Sequence, residues 1–92
     1  MIQVEDKGRD GDHFLFSVTV SDSAGSTRHR VTLSEETLQK LTGGGVSATL
    51  CVEAAFRFLL ERETKSDILS NSDISVIQLY HPHFERDFAG YL

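Results

Sequence analysis

The sequence has little of several residues that stabilise or identify a small domain. Its 92 residues contain one cysteine, one proline and no tryptophan. Because a disulfide needs two thiols, Cys51 cannot form one within the chain, which fits a reducing compartment. No apolar run approaches the ~20 residues of a membrane span, and the N-terminus has neither a basic start nor an apolar stretch. We therefore expect a cytoplasmic protein without a membrane segment.

Positive charge is also scarce. The chain has 9 Lys and Arg residues against 14 Asp and Glu, giving a net charge of -5. Proteins whose affinity comes mainly from neutralising phosphates need clustered basic residues in excess. The composition therefore argues against nucleic acid as the main partner.

The length and composition predict one small globular domain. Apolar residues make up 39% of the chain and charged residues 25%, which is typical of folded proteins. A domain this small buries only roughly 60% of the surface that its unfolded chain exposes. We expect a single domain over residues 1–92, with a sheet in residues 2–33, a helical part in residues 34–92, and homodimer formation as a further source of stability.

The N-terminal third has the two-residue period of β-strands. Residues 13–20 alternate between apolar and polar positions, and residues 27–33 alternate again after a turn. This pattern predicts an antiparallel hairpin, to which Ile2 and Val4 add a third strand. In the first strand Phe14, Phe16, Val18 and Val20 are expected on one face. In the second, His29, Val31 and Leu33 are expected on one face, and Arg28, Arg30 and Thr32 on the other.

A capped helix and a long apolar helix follow. Ser34 is placed to cap the first helix, which three consecutive glycines at residues 43–45 should end. From about Ser47 to Arg62, polar residues fall on one narrow stripe of a helix and the other positions are apolar. A helix that is apolar on most sides must be buried on most sides. The polar stripe is Thr49, Glu53, Arg57 and Glu61.

The predicted fold class is α+β, with an N-terminal antiparallel β-hairpin or three-strand meander followed by three to four helices packed around one central apolar helix. Residues 73–80 fit a helix slightly better than a strand, and Pro82 ends that element. Phe84, Phe88 and Tyr91 suggest a terminal turn that docks on the core. The residues expected to contribute to an interaction surface are Phe56, Leu59, Leu60, Phe84 and Phe88.

Four possible ligand or catalytic sites have simpler explanations. Asp6 to Asp12 is rich in Asp and Gly but lacks the ligand order of a calcium loop. His81 and His83 have no second close-spaced ligand pair with which to hold zinc. Cys51 lies in an apolar helix, unlike a reactive thiolate. The three glycines are not followed by the Lys of a phosphate-binding loop. We therefore expect no catalytic, cofactor or metal site, and a non-enzymatic interaction or regulatory module.

The order of a strand at 28–33, a capped helix, a glycine turn and the helix at 47–62 resembles ribbon-helix-helix proteins, dimeric transcriptional regulators that often serve as antitoxins. In that family alternate strand side chains enter the major groove of DNA. The resemblance implies that Arg28, Arg30 and Thr32 read DNA, and it gives an alternative function as a DNA-binding regulator. The departures are a short first helix, a three-glycine turn, and a strand that already has a hairpin partner.

A second resemblance covers residues 46–87. The run from Ala54 to Leu60, followed by Ser75-Val76-Ile77 and Tyr80-His81-Pro82, resembles a group of small bacterial proteins of unknown activity. It implies a bacterial origin and supplies no activity.

Overall fold

The computed structural model describes residues 1–92 and shows an α+β fold. Three antiparallel strands come first: β1 (Ile2–Asp10), β2 (His13–Asp22) and β3 (Gly25–Ser34). The register pairs Val18 with both Val4 and His29. The pairing of β1 with β2 shifts between Asp6 and Arg9, near Gly8, whose φ is 101°. The predicted three-strand meander is confirmed.

The two faces of the sheet have the side chains that the alternation predicts. One face is buried against the helices and the other is open to solvent. Arg28 and Arg30 are exposed, whereas their neighbours along β3 are buried. The buried face carries Phe16, Val18, Val20, His29, Val31 and Leu33, each at most 3% exposed.

The structure adds a strand to the part of the chain that was expected to be helical. Asn71–Asp73 forms β4, which pairs in parallel with residues Arg30–Thr32 of β3. The strand order is β1-β2-β3-β4, so the sheet receives a segment from beyond residue 33. A three-residue strand is too short to show a periodic pattern, which is why the sequence predicted a sheet that ends at residue 33.

Two capped helices follow β3. Ser34 accepts a hydrogen bond from the Thr37 amide at the start of α1 (Glu35–Thr42), which ends at Gly43 with a φ of 71°. Ser47 likewise accepts from the Leu50 amide at the start of α2 (Ala48–Leu60). Both caps satisfy amides that the first helical turn leaves free. No helix in the chain is long and apolar enough to cross a membrane.

The C-terminal third is built from short elements. Ile74–Val76 is a 3-10 turn that leads into α3 (Ile77–Tyr80). Phe84–Asp87 forms α4, and a second 3-10 turn follows at Phe88–Tyr91. Most of residues 73–80 is therefore helical, and the helix ends before Pro82 as expected.

Aromatic side chains join this third to α2. The ring of Phe58 lies 4.9 Å from that of Phe84 and 5.8 Å from that of Tyr91, both edge to face. Phe84 and Phe88 are 1% and 0% exposed. Elsewhere on α2, Leu50 remains 53% exposed and Leu60 is half-buried.

Candidate interaction surfaces

A recess with a mainly apolar lining opens between the C-terminal end of α2, the loop before β4, and α3. Its volume is about 330 Å³. Leu59, Ile68 and Ile77 are buried beneath it, whereas Leu69 and Tyr80 on its rims are 47% and 66% exposed. We call this recess the apolar groove. Its lining is Leu59, Glu63, Asp67, Ile68, Leu69, Ser72, Val76, Ile77, Tyr80 and His81.

An acid and an imidazole meet at the edge of the apolar groove. The Oε2 atom of Glu63 lies 2.7 Å from Nε2 of His81, and the two side chains are 25% and 21% exposed. The His81 ring also packs edge-on against Phe58 at 5.6 Å. Asp67 is exposed, and its Oδ2 atom accepts a 3.0 Å hydrogen bond from the Thr64 hydroxyl. The groove therefore combines an apolar floor with two carboxylates.

Hydrogen bonds to the sheet hold one rim of the groove in place. The carbonyl of Leu69 lies 2.8 Å from Nδ1 of His29, and the carbonyl of Ser70 accepts from the Arg30 amide at 2.8 Å. The other ring nitrogen of His29 lies 2.8 Å from the Thr27 hydroxyl. Because both ring nitrogens have partners, the 2%-exposed imidazole is satisfied and fixes the loop before β4.

Sequence reasoning placed His29 on the apolar face but did not give it this role. The signal in the sequence was that His29 falls on the same strand face as Val31 and Leu33. A polar ring on a buried face needs hydrogen-bond partners. The sequence does not indicate which groups those partners are. The Leu69 carbonyl is 40 residues away in sequence.

The second surface is the open face of the sheet. It is lined by polar residues of all four strands, including Gln3, Ser17, Thr19 and Asn71, with Arg28 and Arg30 among them. We call it the open sheet face. On β1, a hydrogen bond and charge from Lys7 hold the pKa of Glu5 below its ordinary value, with a smaller contribution from the charge of Arg28.

Two guanidinium groups on the open sheet face have no partner in the chain. Seven of the nine Lys and Arg side chains donate to a carboxylate or carbonyl oxygen. The remaining two are Arg28 and Arg30, which are two residues apart on one side of β3 and both exposed. An acidic protein thus keeps two free cations next to each other on one surface.

Most residues expected at an interaction surface lie within the chain's own core. Phe56, Leu59, Phe84 and Phe88 are 5% exposed or less, and Leu60 is half-buried. Phe56 packs at 5.4 Å against the ring of His29, and Phe84 packs against Phe58. Their apolar surface is already covered by the sheet and the C-terminal turns.

The three residues that the ribbon-helix-helix resemblance singles out have different surroundings. Arg28 and Arg30 point from the open sheet face, but the Thr32 hydroxyl donates to Oδ1 of Asp73 at 2.5 Å. In addition, β3 is hydrogen-bonded to β2 on one side and to β4 on the other. An intersubunit ribbon on this strand would have to displace β4.

Asp73 ties β4 to the helical turn that follows. Its Oδ2 atom accepts from the amide and the hydroxyl of Ser75, at 3.0 Å and 2.6 Å. Burial on its own raises the pKa of Asp73, but hydrogen bonds from Ser75 and Thr32, with the nearby charge of His13, outweigh it and leave the pKa below its ordinary value. Asp73 is therefore a cap that works best when ionised.

The other residues considered as catalytic or ligand sites take part in the packing and capping of the fold. Cys51 is fully buried, and burial raises the pKa of its thiol to about 11. The Gly43 amide donates to the Gln39 carbonyl and the Gly44 amide to the Thr42 hydroxyl, so both serve the end of α1. No three His, Cys, Asp or Glu side chains lie close enough together to hold a metal ion.

Comparison with protein-family models, with curated proteins and with solved structures found no match.

Proposed function

We propose that this protein is a small non-enzymatic interaction or regulatory module that binds a partner protein through the apolar groove. The observation that carries this proposal is the exposure of Leu69 and Tyr80 on either side of a buried apolar floor. Exposed apolar side chains beside a recess are typical of sites into which a partner inserts an anchor residue. The rim that carries Leu69 is held by His29, so this rim needs little ordering on binding.

The test compares groove variants with a matched surface variant. Leu69→Ala and Tyr80→Ala each remove a rim of the groove, whereas Leu79→Ala removes a 78%-exposed leucine that does not line it. Affinity purification from the native cell, quantified by mass spectrometry, should recover a partner with the wild type and Leu79→Ala but not with the groove variants. A binding titration with that purified partner then measures the loss. Equal recovery with all four proteins would contradict the proposal.

We also propose that the protein acts as a homodimer, with α2 as the packing centre of each protomer. The support is the incompletely buried side of α2, where exposed Leu50 and half-buried Leu60 flank Glu53 and Arg57 on one arc of the helix. Two such helices related antiparallel by a twofold axis place Glu53 of one protomer beside Arg57 of its partner, and the reverse. The exposed side of α2 is thus complementary in charge to a second copy of itself.

Light scattering on a size-exclusion column tests the dimer. We expect a mass of twice the 10.2 kDa of one chain for the wild type and for Leu79→Arg. Leu50→Arg should give the mass of one chain, because in this antiparallel arrangement it places a charge against the apolar Leu60 of the partner protomer. A wild type that elutes with the mass of one chain at micromolar concentration would rule out the homodimer.

A second candidate function is nucleic-acid binding by a DNA-binding regulator. One observation favours it: Arg28 and Arg30 are unpartnered on the open sheet face. This candidate predicts duplex DNA binding that weakens steeply with salt and is lost in the Arg28→Ala, Arg30→Ala double variant. Fluorescence anisotropy with labelled duplex DNA measures both effects. Binding that is indifferent to salt and to the double variant would exclude this function.

A further inference from the structure

We propose that the segment bound in the apolar groove carries an apolar anchor side chain next to a lysine or arginine. This inference rests on the proposed function and adds the chemistry of the partner. The apolar part follows from the floor of the groove, and the basic part follows from its two carboxylates. The apolar anchor and the basic residue are tested by separate variants.

The size of the groove limits the anchor. A volume of about 330 Å³ is at the lower end of the roughly 300–1,000 Å³ that is typical of ligand pockets. This is room for one or two large side chains and not for a whole secondary-structure element. The buried floor of Leu59, Ile68 and Ile77 offers no hydrogen-bonding side chain. A leucine or aromatic anchor fits this environment.

The two carboxylates at the groove have no Lys or Arg partner within the chain, and the imidazole of His81 is the one basic group beside them. Arg62 and Lys65 are close in sequence, but Arg62 lies 3.9 Å from Asp87 and Lys65 lies 3.1 Å from Asp22. Neither Glu63 nor Asp67 has a Lys or Arg within ion-pairing distance. A cation brought by the partner therefore gains attraction that the chain itself does not supply.

Free acceptor atoms are available for that cation. Glu63 uses Oε2 for His81, and Asp67 uses Oδ2 for the Thr64 hydroxyl. Oε1 of Glu63 and Oδ1 of Asp67 make no hydrogen bond within the chain. Charge-assisted hydrogen bonds from an ammonium or guanidinium group to these atoms are stronger than those between neutral groups. An acidic residue at the same place would be repelled.

The same carboxylates make a second copy of this groove a poor occupant. Two grooves facing each other would bring Glu63 and Asp67 of one protomer against the same residues of the other. Like charges placed opposite each other in an interface disfavour association. This separates the groove from the α2 surface proposed for the homodimer.

A random-peptide phage library selected on the immobilised full-length protein tests the proposal. We expect the enriched peptides to share a leucine or aromatic residue within a few positions of a lysine or arginine. The consensus peptide, labelled with fluorescein, is then titrated with each variant by fluorescence polarisation. Thermal unfolding of every variant confirms that it is folded; Glu63 is the one changed side chain that is mostly buried, at 25% exposed, and Gln keeps its size.

The variants separate the two parts of the proposal. Leu69→Ala and Tyr80→Ala should each weaken binding by about tenfold, as expected for the loss of an apolar contact worth ~1.4 kcal/mol. Glu63→Gln and Asp67→Asn should each weaken it by about 3- to 10-fold, and high salt should reproduce part of that loss. Glu61→Gln and Leu79→Ala, which change an exposed carboxylate and an exposed leucine outside the groove, should leave it unchanged.

The outcomes are distinguishable. Peptides that need Leu69 and Tyr80 but lack a basic residue, or that ignore Glu63 and Asp67, would overturn this inference and leave the proposed function standing. Peptides whose binding is indifferent to all groove variants would overturn both, as would a selection that enriches nothing. An enriched acidic consensus that depends on the groove would contradict the charge argument directly.

Discussion

The two faces of the sheet are built from the same strands and yet have opposite roles. On β3, His29 and Val31 are buried beneath the helices, while Arg28 and Arg30, each one position before them, are exposed and unpartnered. Successive side chains of a strand point to opposite faces, so each strand has one packing surface and one surface available for other contacts. In this protein the packing surface also contains a histidine, which links the sheet to the rim of the apolar groove.

The largest loss of stability is expected from a substitution on the buried face of the sheet. Leu33 is fully buried, and Leu33→Ala should lower the free energy of unfolding by about 2–5 kcal/mol, because it leaves a cavity in the core. Urea unfolding followed by circular dichroism measures this. A loss below about 1 kcal/mol would mean that the core around Leu33 is not close-packed.

The histidine gives the next largest effect. His29→Ala removes the partner of the Leu69 carbonyl and of the Thr27 hydroxyl, and should cost about 2–3 kcal/mol. Hydrogen exchange at the Arg30 amide, which donates to Ser70, should also become faster as the loop before β4 loosens. His83→Ala is the control, because His83 is exposed and its side chain makes no capping hydrogen bond. Unchanged exchange at Arg30 would contradict the positioning role of His29.

At the edge of the sheet, the stability that Asp73 contributes is expected to depend on pH. Asp73→Asn should cost about 1–2 kcal/mol near neutral pH, because it removes a charged cap from Ser75. The folded-state pKa of Asp73 lies below the unfolded-state pKa, so the ionised form is favoured by folding. Its stabilisation is present above about pH 4 and is lost as the pH falls through the folded-state pKa.

The wild type should consequently lose stability in acid more steeply than Asp73→Asn. Thermal unfolding from neutral pH to about pH 3 measures the two slopes. Parallel slopes would show that Asp73 gains nothing from its hydrogen bonds when ionised.

The smallest effect is expected on the open sheet face. Arg30→Ala should change the free energy of unfolding by no more than about 0.5 kcal/mol, because the guanidinium group is exposed and has no partner. Urea unfolding beside Leu33→Ala gives the direct comparison of the two faces. A loss above about 1 kcal/mol would show that Arg30 packs on its neighbours through its methylene stem.

Much of the fold was predictable because it depends on short-range patterns. The alternation in β2 and β3, the caps at Ser34 and Ser47, and the glycine that ends α1 all act within a few residues. The strand β4 was not predictable, because three residues carry no period and their pairing with Arg30–Thr32 is set by a distant segment.

The candidate site was less predictable than the fold. Aromatic and leucine residues such as Phe56, Phe84 and Phe88 were expected at an interaction surface, and the structure has them in the core. Composition shows that a side chain is apolar but not whether the chain itself covers it. The residues that remain exposed, Leu69 and Tyr80, have no distinguishing pattern in the sequence.

Side-chain periodicity and local capping specify β1 to β3, the starts of α1 and α2, the two faces of the sheet and the apolar character of α2. Long-range packing places His29 against the Leu69 carbonyl and Glu63 against His81, and it opens a groove beside them. These contacts join residues 18 to 40 positions apart. Their formation depends on how the whole chain packs, and no local pattern specifies it.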